Sequence, residues 1–285
     1  MTRTSRVLIT GAGGQLGSAL VRAFDDGTGR YEVVATTRAE LDLGDRDSIL
    51  GAITSAEPDV IIHTGAWTAV DACESDPDKA FRINALGTRH VQQAARIVGS
   101  RVCHVSTDYV FDGTATSPID EWARTNPTSV YGRSKLGGEL EIDPGNTIVR
   151  TAWVCGAVGG NFVKTMLRLA GERDELRVVA DQLGSPSFTD DLAEAIKRLV
   201  VGRFPGVFHV TNSGTATWFD LAQATLAEAG LDPARVTPIT TADYPTPARR
   251  PAYSVLDNAA LRLQGLPLLP DWRESLGRLV KELTS

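Results

Sequence analysis

Arg6-Val-Leu-Ile-Thr10-Gly11-Ala-Gly-Gly14-Gln15-Leu16-Gly17 decides the fold. Its first five residues hold a short apolar run that reads as a buried strand, and the run passes directly into a glycine-rich turn. Residues 15–24 then carry a helical pattern. Glycines in that place permit a tight bend and close backbone approach, so the helix N-terminus can receive a pyrophosphate. The spacing is Gly-x-x-Gly-x-x-Gly. Gly11, Gly14 and Gly17, with Gln15 and Leu16 between them, are the expected cradle.

Outward from this turn, short apolar runs alternate with helical stretches. Strands are expected at 33–36, 59–63, 101–106 and 147–150, and helices at 45–56, 78–98 and 129–140. Runs that are apolar on both faces and separated by helices signal a parallel sheet covered on both sides. Beyond residue 160 the pattern loosens into a helix at 161–171, a strand at 176–180, a helix at 190–201, a strand at 206–211 and a helix at 218–229. The expected fold is α/β: a doubly wound parallel sheet with a smaller, interleaved C-terminal substrate domain. Residues 1–160 plus 188–212 form the dinucleotide-binding part in this reading, and 161–187 plus 213–285 the cap. Ligands of such sheets bind at the carboxyl edge of the strands.

Composition excludes several classes of function. The 285 residues carry a net charge of −6, which argues against a nucleic-acid or anionic-membrane surface. Val7-Leu8-Ile9 is too short for a signal-peptide core, and no stretch approaches the ~20 apolar residues of a membrane helix. Cys73, Cys103 and Cys155 are far apart and form no Cys-x-x-Cys, which suits free thiols in a reducing cytoplasm. A cytoplasmic protein is expected.

The second strand ends in Thr36-Thr37-Arg38, with no acid at its tip. An acid there binds a ribose 2′-hydroxyl, whereas an arginine accepts a 2′-phosphate. Arg38 therefore predicts NADPH, with NADH accepted less well, and Asp42-Leu43 is placed to cover the adenine. Ser106-Thr107-Asp108-Tyr109-Val110-Phe111-Asp112-Gly113 follows the fourth strand and sets hydroxyls at the sheet edge. Tyr131-Gly-Arg-Ser-Lys135 puts a phenol and an ammonium on one helix face, where a cation favours the phenolate and lowers the phenol's pKa. Only five of the 29 basic residues are lysines, so a compact charge is selected at 135 against an arginine background.

In that order, the glycine turn, Ser-Thr-Asp-Tyr-Val-Phe-Asp-Gly and Tyr-x-x-x-Lys resemble an extended short-chain dehydrogenase/reductase, and more narrowly the dTDP-4-dehydrorhamnose reductases. Supporting segments run almost end to end: Ala69-Val-Asp71 with Glu74, Arg150-Thr-Ala-Trp153-Val, Asn161-Phe-Val-Lys-Thr-Met-Leu-Arg168, Asp181-Gln182-x-Gly184-Ser-Pro186 and Arg250-Pro-Ala-Tyr-Ser254-Val-Leu-Asp257. The resemblance implies a Rossmann-type sheet and hydride transfer from NADPH to the C4 ketone of a dTDP-4-keto-6-deoxy sugar. Tyr131 would be the general acid and Lys135 its electrostatic partner on the nicotinamide ribose. Thr107 would orient the ketone oxygen. Gly65, Ala66 and Asn84 would also meet the cofactor. Thr68, Asp108, Trp153, Asn161, Arg249 and Arg250 would meet the sugar nucleotide, the two arginines neutralising its diphosphate.

Two rivals follow from the same resemblance. Related dehydratases carry Asp-Glu after the threonine, and here the pair is Asp108-Tyr109, so the base for removing water is absent. A regulatory subunit of methionine adenosyltransferase resembles the same reductases and acts by binding alone; the complete Thr107, Tyr131 and Lys135 set argues for turnover. Which 4-keto sugar is reduced stays open, in cell-wall rhamnose or secondary-metabolite synthesis. Monomer or homodimer stays open too. Some relatives use Mg2+, but the sequence displays no metal-ligand cluster.

Overall fold

The structure, a computed structural model, describes residues 4–285; the first three residues of the expected dinucleotide-binding part lie outside the described residues. The first half runs β1 (Ser5–Thr10), α1 (Gln15–Phe24), β2 (Tyr31–Thr36), α2 (Arg46–Ala56), β3 (Val60–His63), α3 (Val70–Ser75), α4 (Pro77–Phe81), a π-helical turn (Arg82–Leu86), α5 (Gly87–Val98), β4 (Arg101–Thr107), a 3-10 turn (Asp108–Val110), α6 (Val130–Glu139) and β5 (Thr147–Thr151). The second half runs β6 (Val154–Cys155), α7 (Phe162–Glu172), β7 (Leu176–Val179), β8 (Leu183–Gly184), β9 (Ser187–Phe188), α8 (Thr189–Gly202), β10 (Gly206–His209), β11 (Ala216–Thr217), α9 (Trp218–Glu228), β12 (Val236–Ile239), α10 (Ala259–Leu263) and α11 (Trp272–Thr284).

Six parallel strands form the central sheet in the order β10-β5-β4-β3-β1-β2. Alternation along each strand divides its side chains between two cores. Val7, Ile9, Val60 and Ile62 face α1 and α8, with Leu20, Phe24, Leu192 and Ile196. Leu8, Ile61 and Val102 face α2 and α5, with Ile49, Ile53 and Val91. Strands buried on both faces need helices on both sides, which is why the apolar runs are continuous. This is the doubly wound, Rossmann-type architecture, and the strand order reverses between β1 and β3, where such sheets open a ligand crevice.

After β5 the chain leaves the sheet for residues 154–188 and returns through α8 to add β10. The excursion and the tail pack on each other. Parallel β7 and β12 are covered by α7 and α9 through Met166, Ala170, Leu176, Val178, Leu226 and Val236. Trp272, Leu276, Leu279 and Val280 of α11 join Val163, Phe188 and Leu221 in a neighbouring cluster. Ala260, Leu261 and Leu269, by contrast, join the sheet core beside β10.

The expected helix over 78–98 is broken in the structure. It starts at Pro77, capped by Asp76, and passes through the π-helical turn before α5. That turn holds buried Asn84, whose amide takes both backbone groups of Trp67: Oδ1 accepts from its N–H at 2.7 Å, and Nδ2 donates to its carbonyl at 3.1 Å. An inserted residue re-aims a side chain, and here it stitches the loop after β3 to the helix.

Candidate active site

The β1–α1 turn is built as its glycines require. Gly11 has φ +67°, and a Cβ there would lie 2.9 Å from Gly65 Cα; one on Gly17 would lie 2.2 Å from the Gly11 carbonyl oxygen. Gly14 caps α1 without a side chain, leaving the first N–H groups of the helix open. They face a cleft of about 570 Å³. Gly11, Gly14, Gln15, Leu16 and Gly17 line its floor with Gly65 and Ala66. A second cavity, about 190 Å³, shares Gly11, Gly65 and Ala66 and extends to Arg38, Asp42 and Leu43. Glu40 turns back to accept from Thr37 N–H at 2.8 Å, while Arg38 projects outward, 80% exposed, with Nε 3.5 Å from Asp42. A cradle, an open helix N-terminus and a cation at the far end fit a phosphorylated dinucleotide.

Across the cleft stand Thr107, Asp108, Tyr109, Tyr131 and Lys135. β4 delivers Thr107 at its carboxyl end, and Thr107 Oγ1 donates to Asp108 Oδ1 at 2.9 Å. Ser129 caps α6 by accepting from Gly132 N–H, and Glu74 accepts from Val130 N–H, so the start of α6 is held at both sides. Tyr131 is 8% exposed and meets Tyr109 edge to face at 5.5 Å. Lys135 is 2% exposed; its Nζ donates to the Val105 carbonyl at 2.7 Å and lies 3.5 Å from His104 Nε2.

Burial governs the titration of this group. It pushes the Tyr131 phenol well above its usual value, with the Asp108 charge adding to the rise and a hydrogen bond with Thr107 opposing it. The sequence-based expectation that Lys135 lowers the phenol is corrected here: the ammonium turns to the β4 carbonyl, and burial with the Asp108 charge, not Lys135, governs the phenol. Burial also brings Lys135 down to about 8, with Glu139 acting the other way. Asp108 rises to about 6 through burial, held back by hydrogen bonds with Ser254 and Thr107. The phenol therefore keeps its proton at neutral pH beside an ammonium.

The remaining expected residues are distributed as follows. Thr68 lines the cleft, exposed, and Trp153 forms a wall. Trp153 has φ +49° and stacks on Trp218 with ring centroids 3.5 Å apart and planes 7° apart. Asn161 is outside the lining. It caps α7 by accepting from Lys164 N–H and donates to Gln15 Oε1 and the Gly156 carbonyl. Asn84 has no atom in either cavity lining; besides Trp67, its Nδ2 donates to Ser134 Oγ, which steadies the turn between Tyr131 and Lys135. Arg250 pairs with Asp71 at 2.8 Å and Arg249 is exposed beside it, both outside the lining.

Sequence reading did not single out Tyr109 and Trp218 as lining residues. Tyr109 had a signal, standing next to Thr107-Asp108. Trp218 had none, because its place at the cleft depends on the two-residue pairing of β11 with β8. That pairing also explains Gly184: a Cβ there would lie 2.4 Å from Trp153 Cε2. Gly184→Ala is expected to cost about 1–3 kcal/mol through overpacking and to change the near-UV circular dichroism of the stacked indoles. An unchanged spectrum and urea midpoint would show that the wall tolerates the methyl group.

Comparison with known proteins bears on this geometry. The family described as "RmlD substrate binding domain" matches residues 5–285. The chain belongs to this family. Among RmlD-family relatives, it is 42% identical to the spore coat polysaccharide biosynthesis protein SpsK of Bacillus subtilis, covering 99% of both chains. It is 41% identical to the dTDP-4-keto-6-deoxy-D-glucose reductase of Streptomyces niveus, covering 96% of both. The solved dTDP-4-dehydrorhamnose reductase of Bacillus anthracis, in complex with NADP, superposes with a TM-score of 0.94 at 38% identity, over 98% of this chain and 100% of that one. Among the described residues of this RmlD-family chain, no group of three or more His, Cys, Asp or Glu could hold a metal ion. No described helix is long and apolar enough to cross a membrane.

Proposed function

We propose that this protein is an NADPH-dependent oxidoreductase that reduces the C4 ketone of dTDP-4-dehydrorhamnose to give dTDP-L-rhamnose. The observation that carries the reading is the convergence of Thr107, Tyr131 and Lys135 on one cleft whose opposite floor is the glycine turn. The name of the B. anthracis relative and its NADP support the substrate and cofactor. Bound in the cleft, the reduced nicotinamide would supply the hydride. Tyr131, kept protonated by burial, gives its proton to the oxygen as it becomes an alkoxide. Thr107 hydrogen-bonds that oxygen and orients it. Lys135, charged below about pH 8, offsets the negative charge left on the phenol. Residues 161–187, with the part of 213–285 that packs on them, close the sugar-nucleotide side, and Trp153 stacked on Trp218 offers it a flat apolar face.

The test is direct: purified protein with dTDP-4-dehydrorhamnose oxidises one NADPH per sugar, and product NMR reports the C4 configuration. Binding of NADPH without oxidation by any 4-keto sugar nucleotide would favour the non-catalytic reading. The S. niveus relative supports a second reading, reduction of another dTDP-4-keto-6-deoxy sugar, and a substrate panel separates the two. NADPH preference is assigned to Arg38. Arg38→Ala raises the KM for NADPH roughly tenfold, as loss of an exposed charge-assisted contact should, and leaves that for NADH unchanged. Equal preference before and after the substitution would remove Arg38 from the cofactor site.

A further inference from the structure

α6 carries a second buried charge on the face that holds Tyr131 and Lys135. Glu139 lies one more i+4 step along the helix and is 6% exposed. Its carboxylate is clamped from the sheet. Arg150 donates through Nε at 2.9 Å to Oε1 and through Nη2 at 2.7 Å to Oε2, and Ser106 Oγ donates to Oε1 at 2.5 Å. Ser106 and Arg150 are register partners on β4 and β5, and the next pair is Thr107 and Thr151, both lining the cleft. The ion pair thus sits one residue beneath the reacting groups. It ties the helix bearing the phenol and ammonium to the strand bearing Thr107.

A buried ion pair is a weak source of stability, because desolvation offsets most of its attraction. Tethering alone could be done by apolar packing, which makes the retained charge informative. Lys135 has no carboxylate in hydrogen-bond contact: its Nζ partners are a carbonyl and His104. His104 from β4 touches it, His63 from β3 feels its charge, Tyr131 and Glu139 share its helix, and Asp108 and Tyr109 from the 3-10 turn line the same cleft. Of the other elements packed against α6, α3 carries Asp71, paired with Arg250, and Glu74, bound to the α6 N-terminus. α4 carries Asp78 and Lys79, the latter over the Trp67 ring, and the π-helical turn carries Arg82. α5 carries Arg89 and Arg96, paired with Glu141 and Asp143. Both histidines are held neutral by burial and by the lysine itself. Of these groups, Glu139 is the one whose charge supports the ammonium against burial.

We infer that Glu139, held by Arg150 and Ser106, is a positioning residue that keeps Lys135 protonated and so sets the alkaline limit of the reaction. This rests on the function proposed above for Lys135. Removing the carboxylate charge lets burial act unopposed, and the lysine loses its proton at lower pH. The alkaline limb of kcat/KM then moves to lower pH.

The experiment has two readouts. With lysine labelled at 13Cε, only five resonances are expected, and Lys135 is the one titrating near 8. Glu139→Gln should lower that midpoint by roughly one unit and move the alkaline limb of kcat/KM by the same amount. Because the single variant leaves Arg150 buried and unpaired, the double variant Glu139→Gln/Arg150→Met, which removes both charges, is measured beside it and should show the same direction. An unmoved lysine midpoint in a folded variant overturns the inference. A midpoint that moves while the pH–rate profile does not would leave the electrostatic link intact, but would overturn the role assigned to Lys135 in turnover.

Discussion

Tyr131→Phe is expected to lower kcat by on the order of 10²–10⁴, the usual worth of a positioned general acid. Affinity for NADPH should stay within about threefold of the parent value, because a phenyl ring fills the same space. The substitution removes one oxygen from a side chain that is 8% exposed and packed against Tyr109, Cys73 and Ala80, so the fold has little reason to change. What is lost is the only phenol of α6 facing the cleft. Steady-state rates with dTDP-4-dehydrorhamnose, alongside NADPH titration by fluorescence, separate the two effects. Turnover within tenfold of the parent would remove proton delivery from Tyr131. A large loss that appears entirely in cofactor affinity would instead make the residue part of the dinucleotide site.

Acidification is expected to unfold the protein steeply, and histidine is the cause. Three of its four histidines are buried. Burial takes His63 and His209 down to about 3, and takes His104 well below its usual value with Lys135 adding to the effect. The sign is that of a depressed folded pKa: their contribution is fully present above the unfolded value near 6.5 and is lost as pH falls toward about 3. In that window the unfolded chain binds up to three protons that the native rings refuse. The folded-to-unfolded ratio should fall roughly tenfold per pH unit for each ring, about a thousandfold for the three together, offset by up to tenfold below pH 6 because Asp108, raised to about 6, takes up its proton first in the native state. Urea unfolding at successive pH values between 7 and 5 measures the slope directly. A slope below one proton would mean that the rings are solvated in the native state.

The sheet and the placing of Tyr131 and Lys135 on one cleft-facing helix were legible because each rests on local signals. Apolar runs two-faced enough to be buried, the glycine turn, and Tyr131 and Lys135 on one helical face all follow from the order of side chains. The pattern of α11 was equally available, since Trp272, Leu276, Leu279 and Val280 recur at helical spacing after Asp271. The prolines just before it disguised its start. Other features depend on contacts distant in sequence. Two-residue strands such as β8 and β11 are too short to show a period, so the Trp153–Trp218 stack could not be anticipated. The resemblance implied ligand contacts for Asn84 and Asn161, and their hydrogen-bond partners lie far along the chain. Their amides are engaged by backbone and side-chain partners 17 and 146 positions away. The pKa of Tyr131 inverted for a similar reason: charge spacing is visible in sequence, but desolvation belongs to the assembled core.

Trp153 holds its indole at a backbone cost. Its backbone sits in the left-handed region at φ +49°, a conformation that costs an L-residue about 1–2 kcal/mol and that glycine adopts freely. Glycine at this position would relieve that cost and remove the indole face that stacks on Trp218. Stabilising redesign that favours the easiest backbone would trade that face away.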